Sequence, residues 1–346
     1  MAKVGKIDLE VFTKFVLSHL GAENKKVLVP PLTGVDACVI DIGNDKVLIT
    51  AEDPIFPAPG LPLETFGWFT VHIGASDVAV MGVKPEFMTY SLLMPLQTED
   101  KDLEIMVDSI HRAAKDLDIA IVGGHTGYYP AVTLPIIGGI SVFAIARKDE
   151  YVTPAGAKVG DRIILTKGPA IEAAGLLSVI YEKKLLYHYP KELVDKAKGL
   201  CNSITVVKDC LVAKQVGGVT AMHDATEGGV IGGLFEVANA SDVGMEVDES
   251  LFIYPPEVDM ICDYLKIDAL EAIGEGSLLI CVSPERANMV VSELKKNNID
   301  SSIIGRVTDK RSGRFIKRID GSKRELEIPK QDPFWPAFFK GLGEIG

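Results

Sequence analysis

At 346 residues, with 47% apolar and 24% charged side chains, the chain is globular and longer than one ordinary core, which predicts two domains. Its 48 acids against 36 bases give a net charge of −12. That argues against nucleic acid as a partner, because backbone binding needs clustered Lys and Arg, and favours divalent cations.

Five scattered cysteines (Cys38, Cys201, Cys210, Cys262, Cys281), none in a CxxC pair, exclude a zinc knuckle or a disulfide framework and fit a reducing cytosol. Charges interrupt the first apolar run, MAKVGKIDLEVFTKFVLSHL, and no stretch reaches the length of a membrane span. The expectation is a cytoplasmic protein with no membrane role.

Ile7 to Leu20 has helical apolar spacing and stops at Gly21. The runs ACVIDI, KVLITAED and EFMTYSLLMP read as strands. Between the last two, ETFGWFTVHIGASDVAVMGVKP suits a helix closed by Gly82 and Pro85, and Asp100–Leu117 is an amphipathic helix. IAIVGGHT reads as a short buried strand ending in a glycine turn, and TLPIIGGISVFAIA as a strand of the same sheet. Near Tyr151 the pattern restarts with the strand of DRIILTKG, followed by helices around Ile171–Tyr181 and Pro190–Lys198. After AMHDATEGGV and its helix come a strand (GEGSLLICVS), a helix (ERANMVVSELKKN) and a strand (SSIIGRVTD). Both halves mix strands and helices, so the fold class is α/β with mixed sheets, with domains at 1–150 and 151–346.

Five segments place an acid or a histidine at a strand end or helix start, beside glycine or proline. They hold Asp36 (TGVDACVI), Glu52 and Asp53 (ITAEDPIF), Asp77 (GASDVAVMGVKP), His125 and Thr126 (IVGGHTG), and Asp224, Thr226 and Glu227 (AMHDATEGGV). Taken singly, each has an ordinary role: Asp36 shapes a turn after Gly34, Asp77 is a helix-surface acid, and Asp224 and Thr226 cap a helix. Adjacent carboxylates such as Glu52 and Asp53 repel unless a cation compensates. Taken together, the acids suit magnesium or manganese bound with a polyphosphate, and the glycines let backbone N–H groups approach phosphate oxygens.

The order of these segments resembles the superfamily of aminoimidazole ribonucleotide (AIR) synthetase, whose other branches are the hydrogenase-maturation carbamoyl-dehydrating enzyme, selenophosphate synthetase and thiamine-monophosphate kinase. TGVDACVI is similar to its G-[DE]-D-A-A segment, ITAEDP to T-T-D and SDVAVMGVKP to N-D-x-x-x-x-G-x-x-P. GGHT is similar to G-G-D-T, AMHDATEGGV to M-x-D-P-T-x-G-G, and IGEGSLLICV to the N-E-G segment. The likeness runs from about Gly5 to about Val307 and is nearest to the hydrogenase-maturation branch.

The resemblance implies two α/β domains, a homodimer in which the N-terminal domains close a β-barrel, and ATP in the interdomain cleft. Carried over, Asp36, Asp53, Asp77 and Asp224 become the metal and phosphate carboxylates. Gly34, Gly123, Gly124, Thr126, Thr226, Glu227, Gly228 and Gly229 line the nucleotide phosphates, with the two last glycines facing phosphate at a helix start. His125, in place of the motif's Asp, becomes a manganese-suited ligand or a general acid or base. Val35, Glu52 and Ser76 also depart from the motifs, and Glu52 is placed to orient an attacking water. Lys84, Lys167 and Glu275 stand near motifs without an assigned role.

No cysteine follows Cys281, whereas the hydrogenase-maturation enzyme carries its carbamoyl group on a C-terminal cysteine. The expectation is therefore metal-dependent cleavage of nucleotide phosphates with water as acceptor. Asp53, His125 and Glu52 are its catalytic residues, and Asp36, Asp53, Asp77, His125 and Asp224 its metal ligands. Two alternatives stand beside it: an ATP-dependent synthetase or kinase that phosphorylates a small-molecule oxygen, and a non-catalytic ATP-binding partner of a maturation factor.

Overall fold

The computed structural model describes residues 4–345. Six strands form the first sheet: β1 (Val27–Val29), β2 (Cys38–Gly43), β3 (Lys46–Ile55), β4 (Phe87–Met94), β5 (Ala120–Tyr128) and β6 (Ile136–Arg147). Their spatial order is β1-β2-β3-β6-β4-β5, antiparallel throughout except for the β4–β5 pair. β2 and β3 join through Asn44 and Asp45, both at positive φ, the two-residue turn whose twist matches a hairpin.

Alternation decides which face is covered. Val47, Ile49 and Ala51 of β3 are buried beneath the helix Leu63–Ala79, which contributes Phe66, Phe69, Val71, Ala75 and Val78 to the same core. The helix Asp100–Asp116 packs against that helix so closely that a Cβ on Gly67 would press on Ser109 at 2.6 Å. The opposite face of the sheet stays open, with Ile145 exposed on it, and the edge strand β5 leaves Ile121, Val122 and Tyr128 exposed.

Seven strands form the second sheet: β7 (Arg162–Thr166), β8 (Val219–Asp224), β9 (Gly244–Asp248), β10 (Leu278–Val282), β11 (Ser301–Thr308), β12 (Arg314–Lys317) and β13 (Lys323–Glu325). Their order is β13-β12-β9-β11-β7-β10-β8, and only β12–β9 is parallel. Every residue of β10 is buried, because helices cover both of its faces. The helix Gly229–Ala240 packs on one face through Val230, Ile231 and Leu234. The helices Ile171–Ile180, Val207–Val216 and Pro284–Lys296 pack on the other, in a core continuous with that of the first half.

The two halves are clamped where the chain reaches Thr205 and Val206. The Val206 N–H donates to Ser76 Oγ at 3.1 Å, and His72 Nδ1 lies 3.1 Å from Thr205 Oγ1. Among the described residues no helix is long and apolar enough to cross a membrane.

Two sequence expectations change. The strand holding IVGGHT is exposed, not buried, because β5 is an edge strand paired only with β4. The Ile7–Leu20 helix shrinks to Leu9–Val11 followed by a π-turn at Phe12–Val16, with no buried residue in either. The first sheet of the single chain is open, with edges at β1 and β5, which leaves the two-copy barrel untouched.

Candidate metal and phosphate site

Four segments bring carboxylates to the seam between the sheets. Asp36 stands in the turn before β2, Asp53 near the end of β3, Asp77 in the last turn of the helix Leu63–Ala79, and Asp224 at the end of β8. Asp53 lies close enough to Asp77 for the two to share a proton. Burial, then the charges of Asp53, Asp224 and Asp36, push the Asp77 carboxyl well above the usual range. Asp53 is also raised, by burial first, while Asp77 and Lys6 hold it back. Asp224 reaches about 6 through burial and the Asp36 charge, with His223 and Lys6 opposing.

Asp224 is fully buried, and among the described residues no hydroxyl, amide or amine donor reaches either of its carboxylate oxygens; the polar group against it is the equally buried carboxyl of Glu275. Buried carboxylate oxygens without such a donor are costly, and nearly all such groups in folded proteins find one. A set of carboxylate oxygens facing one another across a seam is a donor set for a hard divalent cation, so these residues fit one.

The supporting residues are ones the sequence reading passed over. His223 Nδ1 bonds Asp36 Oδ2 at 2.7 Å and Nε2 bonds Glu236 Oε2 at 2.9 Å. Burial opposes charge on His223, but the two carboxylates outweigh it and hold the imidazole well above its usual pKa, as a cation that donates from both nitrogens. Asp36, His223 and Asp224 bring ligand-type atoms within 4.8 Å of one another. With both ring nitrogens committed, His223 orients Asp36 and leaves the ligand role to the acids.

Lys6 reaches in from the N-terminal segment. Its Nζ donates to Thr226 Oγ1 at 2.9 Å and its backbone N–H to Glu227 Oε2 at 2.9 Å. Burial works against its charge, yet Glu236, Asp36, Asp224 and Asp77 raise its pKa overall. No spacing pattern announced Lys6, whereas His223 sits directly before Asp224 and Glu275 lies in a Gly-Glu-Gly turn.

The structure therefore gathers Asp36, Asp53, Asp77 and Asp224 in one group. Gly34 supports Asp36: its φ is +76°, and a Cβ there would press on Glu236 at 2.7 Å. Thr226 and Glu227 border the group and hold Lys6.

Other expected members lie elsewhere. Glu52 points to the face opposite Asp53, where Ser141 Oγ donates to its Oε2 at 3.0 Å, so it does not orient a water beside Asp53. His125 sits on the exposed edge strand with Nε2 2.5 Å from the Tyr129 hydroxyl and joins none of the four aspartates in this chain. Gly123, Gly124 and Thr126 share that strand, and Gly124 is required by the close approach of the Tyr90 carbonyl. The two glycines after Glu227 do not present bare backbone to a ligand. The Gly228 N–H donates to Asp332 Oδ2 at 2.9 Å, and a Cβ on Gly229 would strike the carbonyls of Leu270 and Ala272. These glycines serve loop packing.

Residues 34–160 match the N-terminal domain of AIR synthase related proteins, and residues 158–318 match the C-terminal domain. The chain is 26% identical over 333 residues to a putative hydrogenase expression/formation protein of Methanocaldococcus jannaschii, covering 95% of this chain and 96% of that protein. It is 27% identical over 342 residues to a selenide, water dikinase of Methanococcus maripaludis, covering 94% and 97%. A crystal structure of the hydrogenase maturation protein HypE in complex with ATP superimposes with a TM-score of 0.66 at 22% identity, covering 96% of this chain and 98% of that one.

Proposed function

The chain belongs to the AIR synthase-related family, and from that premise we propose that it uses ATP, with magnesium or manganese, to phosphorylate an oxygen of a small acceptor. The observation that carries the reading is the pair of oxygens on fully buried Asp224 that no hydroxyl, amide or amine donor reaches, set against carboxylates from the other half of the molecule. The related dikinase and the ATP-bound fold neighbour support transfer to an acceptor over the hydrolysis to water that the sequence put first.

Asp36, Asp53, Asp77 and Asp224 are the residues that would hold the cations. Bound there, a divalent ion neutralises phosphate charge and orients the transferred group. The protein's own groups do the rest. His223, fixed by Glu236, holds Asp36 in place, and the Ser76–Val206 bond sets the helix end that carries Asp77 against the second half. Lys6 offers a positive charge at the rim, beside the Thr226 hydroxyl, where a polyphosphate oxygen would otherwise meet only acids. We further propose a homodimer formed through the open face and the β5 edge of the first sheet, since exposed Ile145 on that face and exposed Ile121 and Val122 on that edge would be covered by a second copy.

Calorimetric titration of the chain with a non-hydrolysable ATP analogue and Mg2+ tests the reading. Saturable binding that Lys6→Met weakens about tenfold is expected, and the absence of any binding with either metal would overturn it.

A further inference from the structure

Lys167 follows β7 at a φ of +59°, a left-handed conformation uncommon for a residue with a Cβ. Gly168 continues the bend at +95°, where a Cβ would lie 2.4 Å from the Ile253 carbonyl oxygen. The Lys167 N–H fixes the bend by donating to the Asp300 carbonyl at 2.7 Å. Backbone held in this region gathers at functional sites.

The bend turns the ammonium inward, and the Lys167 side chain is only 18% exposed. Its Nζ donates to the Thr205 carbonyl at 2.7 Å and pairs with Asp209 Oδ1 at 2.8 Å. Asp209, buried, also accepts from the Thr166 hydroxyl at 2.7 Å. An ammonium held by a buried carboxylate and a carbonyl is fixed in place.

Through this residue four hydrogen bonds lead from a carboxylate of one half to a carboxylate of the other. Ser76, beside Asp77, accepts the Val206 N–H at 3.1 Å. Thr205, beside Val206, gives its carbonyl to Lys167. Gly168, beside Lys167, accepts the Ser277 hydroxyl at 2.6 Å. The Ser277 carbonyl in turn accepts the N–H of Ala225, the residue after Asp224, at 2.8 Å. Ser76 and Ser277 are fully buried. Lys167 supplies the only charged link of the four.

A divalent ion holds oxygen ligands within a narrow range, about 2.0–2.6 Å, so a small change in the span between two ligand carboxylates is felt by the ion. Groups that orient metal ligands without touching the metal typically change metal affinity by about 10–100-fold when removed.

We propose that Lys167 is a positioning residue for the cation site: its ammonium sets the span between Asp77 of the first half and Asp224 of the second. This role rests on the reading of those aspartates as cation ligands with ATP.

Electron paramagnetic resonance of free Mn2+, during titration of the full chain with the non-hydrolysable ATP analogue present, tests it. Wild type is expected to bind Mn2+, and Lys167→Met to raise the Mn2+ Kd by about tenfold or more. Val290→Ala, in the buried face of the helix Pro284–Lys296, is the control for lost stability alone. It should lower the melting temperature and leave the Kd within about twofold of wild type. Should Lys167→Met fail to fold, Lys167→Met with Asp209→Leu, which leaves no buried carboxylate unpaired, takes its place with the same expected loss. Ser76→Ala cuts the far end of the same connection. Combined with Lys167→Met it should weaken Mn2+ binding no more than about twofold beyond the more damaging single change. Effects that multiply independently, or a folded Lys167 variant that binds Mn2+ as wild type does, overturn the proposal and leave the ATP reading standing. Wild type that binds no Mn2+ with the analogue sinks both.

Discussion

Asp53 and Glu52 are neighbours in sequence and sit on opposite faces of the first sheet. On the inner face Asp53 meets Asp77 and feels Asp36, under a covering helix that shields them from water. On the outer face Glu52 is exposed, bonded to Ser141, and shares its side of the sheet with His125 and Tyr129. The same kind of carboxyl is packed among other acids on one side and open to solvent in the single chain on the other. A pair of acids in a strand is therefore not a paired-acid site, because the pleat sends successive side chains apart.

The inner face carries the largest prediction. Asp224→Asn, which keeps shape and removes charge, is expected to lower ATP turnover by roughly 10²–10³-fold, measured as ADP release with Mg2+. Asp53→Asn should do the same. Turnover surviving both changes would mean that the grouped carboxylates serve folding alone.

The open side of the sheet, outer face and β5 edge together, is tested by association. Val122 is 59% exposed on edge strand β5, beside Ile121. Val122→Asp is expected to weaken self-association by roughly a hundredfold in sedimentation equilibrium, since an unpaired charge buried between copies has nothing to compensate it. A monomeric wild-type chain would remove the proposed dimer and leave the outer face as plain surface.

How much of this was readable beforehand follows the same division. Asp36, Asp53, Asp77 and Asp224 were legible because each ends a strand or helix beside glycine or proline, and local chemistry marks such places. Their convergence came from the family likeness, because no spacing in a sequence reports which strand ends meet. The strand IVGGHT looked buried because its residues are apolar and small, yet burial depends on what packs over a strand, and among the described residues nothing covers β5. Gly228 and Gly229 looked like a phosphate cradle. Their true neighbours, Asp332 and the 270–272 backbone, lie about forty to a hundred residues away in sequence. Lys6, Glu236 and Asp332 were invisible for the same reason: each acts through a long-range contact.

The clamp that holds the inner face to the second half gives a pH prediction. His72 is 9% exposed, stacked on Trp68 at 3.9 Å, and burial lowers its pKa from 6.5 to about 4. The folded state thus binds this proton more weakly than the unfolded chain does. Above pH 6.5 both are neutral and the contribution to stability is whole. As pH falls toward 4 the unfolded chain protonates first, and stability declines by about 2–3 kcal/mol. His72→Gln should flatten that portion of a melting-temperature profile, and an unchanged slope would show that the imidazole is not the group responsible.

The smallest expected effect falls on Glu52, and it separates the two faces most cleanly. Glu52→Gln keeps an acceptor for Ser141 Oγ and removes an exposed charge whose only described polar contact is that hydroxyl. A surface substitution of this kind changes stability by about 0.5 kcal/mol or less. ATP turnover at saturating Mg2+ should then stay within about twofold of wild type, because the sheet and the pleat hold the Glu52 charge on the face away from the Asp53 carboxyl. A large fall in turnover at full dimer occupancy would mean that the second copy brings its own nucleotide against this face. In that case the two faces would belong to one composite site, divided between subunits by the sheet.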